Sequence, residues 1–279
     1  MIKNKTICIA GKNEVCVNAI NYLLDELSMS LDSLLIIPNT TDNGIDNWQP
    51  SVRNHAIKRG LQIVSLSDIQ SIENLVFISL EYDKLLKPHL FKSKQLFNIH
   101  YSLLPKYKGM YTSCIPLLNG ELQSGVTLHM IDDGIDTGDI ISQRNFVIDI
   151  NDTSRDLYFK YMQNGLELFC ETIRYLHEGN FKTRPQEGIG SSYYSKNSVD
   201  FNNIFINFHK TSFEIHNQLR AFIFKEYQLP YINGSQIERS VLSTEKISRN
   251  THIEKEDYFI ISGIDGNKIT AFKTNRVRK

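Results

Sequence analysis

Lys5-Thr-Ile-Cys-Ile-Ala10 is a short apolar run closed by Gly11, and it reads as a buried strand. Gly11 then opens a turn, and Val15, Val17, Ile20, Leu23 and Leu24 follow at the spacing of a helix. Working outward, Leu34–Pro38 repeats the strand texture. Asn39–Ser51 is a loop of Asn, Thr, Asp, Gly and Pro that carries the only tryptophan, Trp48. Helical spacing returns from Ser51 to Lys58, and Leu61–Val64, Asn74–Leu80 and Leu96–Ile99 read as further strands. Strands alternating with helices predict an α/β fold with a mostly parallel sheet.

Further along, Gly125–Ile131 and Asp139–Ile150 read as two strands around the turn-rich Asp132–Gly138. Thr153 and Asp156 resemble a capping box, with Asp in place of the usual Glu or Gln. Leu157, Tyr161, Leu168, Phe169, Ile173 and Leu176 then form a core-facing helical stripe, and Gly179 ends the helix. Beyond it the texture changes. Asn180–Asn202, rich in Gly, Ser, Asn and Tyr, reads as a connector, and Ile204–Lys225 is partly helical. Asp257–Ile261 and Lys268–Phe272 bracket Asp265–Gly266 as a hairpin. The expectation is an α/β domain over residues 1–185 and a small α+β domain over 186–279. Lys268 and Lys273 are expected to blunt an exposed strand edge.

Composition narrows the partners. Lys+Arg and Asp+Glu both number 31, so the formal charge is zero. A chain that grips many nucleic-acid phosphates carries a basic excess, so the balance argues against nucleic acid and leaves room for a small phosphorylated ligand. Cys8, Cys16, Cys114 and Cys170 stand far apart, which suits neither a zinc site nor a disulfide framework but fits buried thiols in a reducing compartment. The apolar part of MIKNKTICIA stops at Gly11–Lys12, too short for a signal segment, and no run reaches the roughly 18 apolar residues of a membrane span. The expected location is the cytoplasm, with no membrane partner.

Two segments carry candidate chemistry. In Phe97–Gly109, FNIHYSLLPKYKG, Asn98 and His100 lie two apart at a strand end, so both side chains project to one side. Parallel strands open at that end onto the crevice where α/β proteins place ligands. There an amide can hold a developing oxyanion while an imidazole moves a proton. In Gly125–Ile140, Asp132, Asp133, Asp136 and Asp139 alternate with Gly134 and Gly138. Their spacing misses the EF-hand pattern, although clustered carboxylates can hold Mg²⁺ or Ca²⁺. One of them can instead orient His100. On spacing alone, a structural strand end and a solvated hairpin turn remain open readings.

Read together, Asn98-Ile-His100, Ser102-Leu-Leu-Pro105, Tyr107-Lys-Gly109, Gly125-Val-Thr127-Leu-His129 and Asp133-Gly-Ile-Asp136-Thr-Gly138-Asp-Ile140 resemble the signature of the folate-dependent formyltransferases. That family acts on glycinamide ribonucleotide, methionyl-tRNA or amino sugars. The resemblance covers roughly residues 1–150 and implies a Rossmann-like sheet with helices on both faces. It also implies 10-formyltetrahydrofolate as co-substrate, no metal, and a catalytic trio of Asn98, His100 and Asp136. In the implied mechanism a substrate amine attacks the formyl carbon, Asn98 stabilises the oxyanion, His100 assists proton transfer and Asp136 orients it or a water. The pterin is implied to lie against Lys84, Leu85 and Leu86 and against Ile131, Asp132, Asp133 and Gly134.

The acceptor amine is read from weaker signals. Gly109-Met-Tyr-Thr-Ser113, Tyr193-Tyr-Ser-Lys196 and Asn217-Gln-Leu-Arg220 look closest to bacterial nucleotide-sugar N-formyltransferases. Among these they lean toward those acting on dTDP-4-amino-4,6-dideoxyglucose for O-antigen or other surface polysaccharide. Candidate substrate contacts are Trp48, Lys84, Tyr111, Thr112, Tyr193, Lys196, Asn217 and Arg220. Here Lys196 and Arg220 are suited to a pyrophosphate and the aromatics to a base. A homodimer is expected by the same resemblance. The competing readings are a methionyl-tRNA formyltransferase, toward which the terminal NRVRK points, and a non-catalytic folate or nucleotide-sugar binding protein.

Overall fold

The computed structural model describes residues 5–274, and the basic NRVRK run at 275–279 lies outside them. The opening strand is β1 (Thr6–Gly11) and the helix after it α1 (Asn13–Asn21). A Cβ on Gly11 would lie 1.8 Å from the Leu80 carbonyl oxygen, so a residue without a side chain is needed where these strand ends meet. There follow β2 (Leu34–Pro38), α2 (Val52–Lys58), β3 (Gln62–Ile63), α3 (Leu66–Ile69), β4 (Leu75–Leu80) and β5 (Leu96–His100). The sequence reading missed α3, because its four residues are too few to display a helical period. A two-stranded ribbon joins β6 (Lys108–Gly109) to β9 (Tyr193–Tyr194).

The main sheet has the order β3-β2-β1-β4-β5-β7-β8, where β7 is Gln123–Met130 and β8 is Ile140–Val147. The pairs from β3 to β5 are parallel, and β7 runs antiparallel to β5. Cys8, Ala10, Leu35, Ile37, Leu75, Phe77 and Leu96 pack with Ile69 and Phe91 as one core cluster. The alternate residues Ile7, Ile9, Leu34, Ile36, Val76 and Ile78 are buried as well. Burial of both faces is why these strands read as unbroken apolar runs. The predicted stripe from Leu157 to Leu176 lies on α5 (Ser154–Glu178) and is fully buried. Reciprocal Thr153–Asp156 hydrogen bonds precede this helix, and Gly179 takes a left-handed φ of 77° after it.

The expected single boundary near residue 185 gives way to an interleaved arrangement. One compact unit runs through Lys108 and adds Gly125–Asn145 and Tyr161–Tyr193. The other takes Gly109–Ser124, Phe146–Lys160 and the chain from Tyr194 onward. Thus β7, β8 and α5 each contribute residues to both, which local periodicity has no means of revealing. The second unit contains α4 (Ile115–Leu118), α6 (Ser212–Ala221) and a five-stranded sheet. That sheet has the order β10 (Tyr231–Ile232), β11 (Ser235–Lys246), β14 (Asn267–Lys273), β13 (Tyr258–Ser262) and β12 (His252–Glu254). The predicted hairpin is the antiparallel β13–β14 pair. Because β14 is flanked by β11 and β13, Lys268 and Lys273 guard no edge; they pair with Glu245 at 2.8 Å and Glu254 at 2.7 Å.

His216 on α6 is wholly buried. Its Nε2 lies 2.7 Å from the Ile150 carbonyl, which can only accept, so Nε2 carries the hydrogen and Nδ1 faces the Ser240 hydroxyl at 2.8 Å. Burial pushes its pKa down to about 4, so the folded state keeps the ring neutral. Between pH 6.5 and 4 the unfolded chain takes up a proton that the native site refuses, and stability falls as pH falls through that window. From His216 alone the loss approaches roughly 3 kcal/mol. Denaturant titrations at several pH values should show a shallower loss for His216→Gln than for the wild type; equal slopes would refute the assignment.

Candidate active site

The first unit brings Asn98, His100 and Asp136 together at the carboxyl end of β5. Asn98 and His100 share one face of that strand, and the β5–β7 register sets Asn98 opposite His129 and His100 opposite Thr127. Directly opposed side chains project to the same side, so His129 joins the pair. The Asn98 amide nitrogen lies 3.1 Å from His129 Nε2 and 3.2 Å from Asp136 Oδ1. His129 Nδ1 donates to the Met130 carbonyl at 2.7 Å, which makes Nε2 of the neutral ring an acceptor. Both amide hydrogens of Asn98 therefore have acceptors, and donation to a ligand oxygen requires one of them to change partner.

His100 is buried and its Nε2 sits 2.8 Å from the Tyr107 carbonyl, so Nε2 carries the hydrogen. Its Nδ1 lone pair faces Asp136 Oδ2 at 3.5 Å. Burial pushes the His100 pKa below its ordinary value; Asp136 and the Tyr107 carbonyl pull it back up, and His129 pushes it down. The neutral ring has an open basic nitrogen beside a carboxylate. A proton arriving at Nδ1 would find its counter-ion in place.

The Asp136 loop is held from several directions. Asp136 itself adopts a left-handed φ of 54°. A Cβ on Gly138 would meet the Met130 carbonyl oxygen at 1.9 Å, which requires glycine. Thr137 Oγ1 donates to the Asp132 carboxylate at 2.7 Å, and the Met130 amide donates to the Asp139 carbonyl at 2.9 Å. Below the site, Thr127 Oγ1 donates to the Ser102 carbonyl at 2.6 Å, accepts from Leu104 N at 3.1 Å, and also lies 2.9 Å from the Gln143 amide. The Asp132 carboxylate of this turn is thus spent on internal hydrogen bonds. Among the described residues no group of three or more His, Cys, Asp or Glu side chains is arranged to hold a metal ion.

The two segments expected to flank a pterin each place one residue on the same core cluster. Leu86 and Ile131 both pack on the core cluster of Phe77, Phe91 and Leu96, while Leu85 is 72% exposed beside them. Lys84, Asp132, Asp133 and Gly134 are exposed, and His89 Nδ1 lies 3.9 Å from Asp133. Trp48 is half-buried in the same unit. Tyr193 closes that unit and is 53% exposed.

The remaining expected contacts lie in the second unit. Tyr111 donates through its hydroxyl to the Lys196 carbonyl at 3.0 Å, Thr112 is half-buried, and Lys196 is exposed. Asn217 and Arg220 are corrections. Both are buried, and Arg220 Nε donates to Asn217 Oδ1 at 2.8 Å while its Nη1 reaches the carbonyls of Asp149 at 2.9 Å and Asp152 at 3.2 Å. Buried in this way the guanidinium fastens the fold through Nε and Nη1, and its Nη2 is shut from solvent without a hydrogen-bond partner. Helical position does not distinguish a solvated arginine from a buried one, which is why the sequence misplaced it. Conversely, His129 and Gln186 were missed, because their proximity to Asp136 depends on strand register and on a return of the chain fifty residues later.

The family profile described as formyl transferase matches residues 65–173. The methionyl-tRNA formyltransferase of Clostridioides difficile is 34% identical over 226 residues, 77% of this chain and 72% of that protein. Otherwise the chain spans about half the length of the curated relatives it matches: 52% of the methionyl-tRNA formyltransferase of Synechocystis sp., at 30% identity over 64% of this chain. Two solved structures are similar over nearly the whole chain. WlaRD, a sugar 3N-formyl transferase crystallised in the presence of dTDP and 5-N-formyl-THF, is 52% identical with a TM-score of 0.95, covering 98% of this chain and 99% of its own. The N-formyltransferase from Helicobacter canadensis in complex with folinic acid and dTDP-3-aminofucose is 49% identical with a TM-score of 0.94, covering 97% and 100%.

Histidine-selective ¹⁵N NMR should show His100 titrating below its ordinary value of 6.5 with Nε2 protonated in the neutral ring. A titration above 6.5 would mean that the Asp136 carboxylate outweighs burial.

Proposed function

This chain belongs to the formyl transferase family, and from that premise we propose that it moves a formyl group from 10-formyltetrahydrofolate to the amino group of a dTDP-linked amino-dideoxy sugar. The observation that carries the reading is near-full-length similarity, 52% and 49% identical, to two N-formyltransferases whose described ligands are dTDP or a dTDP-3-amino sugar together with a formylated folate. Both name the 3-amino position, WlaRD as a 3N-formyl transferase and the other through dTDP-3-aminofucose. Our reading therefore takes a 3-amino sugar in place of the 4-amino sugar toward which the sequence motifs lean. Methionyl-tRNA is the second reading; its curated enzymes are less similar, and the zero formal charge offers little to a polyanion.

The folate would supply the activated formyl carbon. Its ring is assigned to Leu85–Leu86 and Ile131–Gly134, a reading supported by the packing of Leu86 and Ile131 on one core cluster and by the exposure of Leu85 and Asp132–Gly134. The remaining chemistry is that of this chain's own groups. Asn98 is the amide able to donate to an oxygen that gains negative charge at the reacting carbon, after releasing Asp136 or His129. His100 Nδ1 is the open base for the proton leaving the attacking amine. Asp136 then stabilises the imidazolium from 3.5 Å, and burial of the cluster strengthens that pairing. No helix among the described residues is long and apolar enough to cross a membrane. Work on a nucleotide sugar for surface polysaccharide, in the cytoplasm and as a homodimer, completes the proposal.

An absorbance assay for tetrahydrofolate release, run separately with dTDP-3-amino sugar, dTDP-4-amino sugar and methionyl-tRNA, should give turnover with the 3-amino sugar. Silence with both sugars and turnover with tRNA would overturn the substrate assignment. His100→Asn should lower kcat by roughly a hundredfold or more while leaving nucleotide-sugar binding within a few-fold. Equal losses of binding and rate would assign His100 a structural role instead.

A further inference from the structure

Gln186 lies in the connector, fifty residues after Asp136. Its Nε2 donates to the Asp136 carbonyl at 2.8 Å and to the Gly138 carbonyl at 2.8 Å. One amide thus spends both hydrogens on the backbone of the loop that carries the candidate catalytic carboxylate. The chain is delivered there by an antiparallel bridge between Ile140 and Arg184, with amide–carbonyl distances of 2.8 and 2.9 Å. Thr183 Oγ1 adds a bond to Asp139 at 3.2 Å, and the Arg184 guanidinium donates to Gln143 Oε1. The clasp closes over a residue whose left-handed backbone favours glycine, yet Asp136 occupies it.

Two details separate this contact from ordinary backbone satisfaction. The Gln186 Oε1 is buried with no hydrogen-bond partner, so the amide is placed for its two donors while its acceptor is left unmet. The clasped residue is also the one whose carboxylate faces Asn98 at 3.2 Å and His100 at 3.5 Å. We propose that Gln186 is a positioning residue: by holding the Asp136 and Gly138 carbonyls it fixes the left-handed turn that aims the Asp136 carboxylate at His100 Nδ1 and the Asn98 amide. Its catalytic consequence rests on the formyl-transfer reading; its geometric core does not.

The test uses the full chain with Gln186→Met, which removes both donors at similar length, and Gln186→Leu, which removes them without adding a charge. Burial, the largest effect, lowers the His100 pKa; Asp136 and the Tyr107 carbonyl raise it, and His129 lowers it. Withdrawing Asp136 therefore shifts the His100 titration further down. Histidine-selective ¹⁵N NMR should show that downward shift in both variants, and kcat should fall roughly tenfold to a hundredfold with KM for the nucleotide sugar changed less than threefold. An unshifted His100 titration in a variant that melts like the wild type would overturn the proposal, as would equal losses in kcat and KM. If Gln186→Met does not fold, Gln186→Leu alone carries the same two readouts. A shifted His100 in a chain whose wild type transfers no formyl group would uphold the positioning role and discard the formyl-transfer reading.

Discussion

The Asp136 carboxylate is the group on which the site depends. One oxygen lies beside the Asn98 amide and the other beside His100 Nδ1, while His129 Nε2 stands 3.5 Å from the first. Four polar groups from two strands and a loop thereby form one network with little solvent to screen it. In such surroundings the charge of a single carboxylate is felt by every neighbour. The loop meets that demand through its backbone. Glycine at 138 admits the Met130 carbonyl, Thr137 closes back on Asp132, and Gln186 binds two carbonyls.

His100 illustrates how opposing forces set a proton's position. Burial favours the neutral ring and Asp136 favours the charged one; burial is the larger effect, so the ring rests neutral. A base needs that condition before it takes a proton, and a nearby anion needs to be present afterwards. The Tyr107 carbonyl settles which nitrogen is available, because it holds the hydrogen on Nε2. Tautomer, counter-ion and burial thus act on one ring from three separate segments of chain.

The second unit solves a different problem with similar means. Its interior holds Arg220, His216 and Asn217, polar groups that are costly to bury unpaired. Arg220 binds two carbonyls and an amide oxygen, and His216 bridges the Ile150 carbonyl and Ser240. Lys160 adds bonds to Asp149 at 2.7 Å and Asp152 at 2.6 Å on the same segment. These contacts bind the stretch around Ile150 to α6 and β11 within a unit assembled from three pieces of chain.

Much of this was legible beforehand. Unbroken apolar runs announced strands buried on both faces, the stripe from Leu157 to Leu176 announced α5, and Asn98 and His100 two apart on a strand announced a shared face. These are consequences of local periodicity, which a chain carries whatever its partners. The sequence could not say that β7 sets His129 opposite Asn98, since register depends on which strand lies alongside. Nor could it say that Gln186 returns to Asp136, or that Arg220 faces inward. Those outcomes rest on contacts between residues distant in the chain, where burial decides whether the same side chain serves a ligand or the fold.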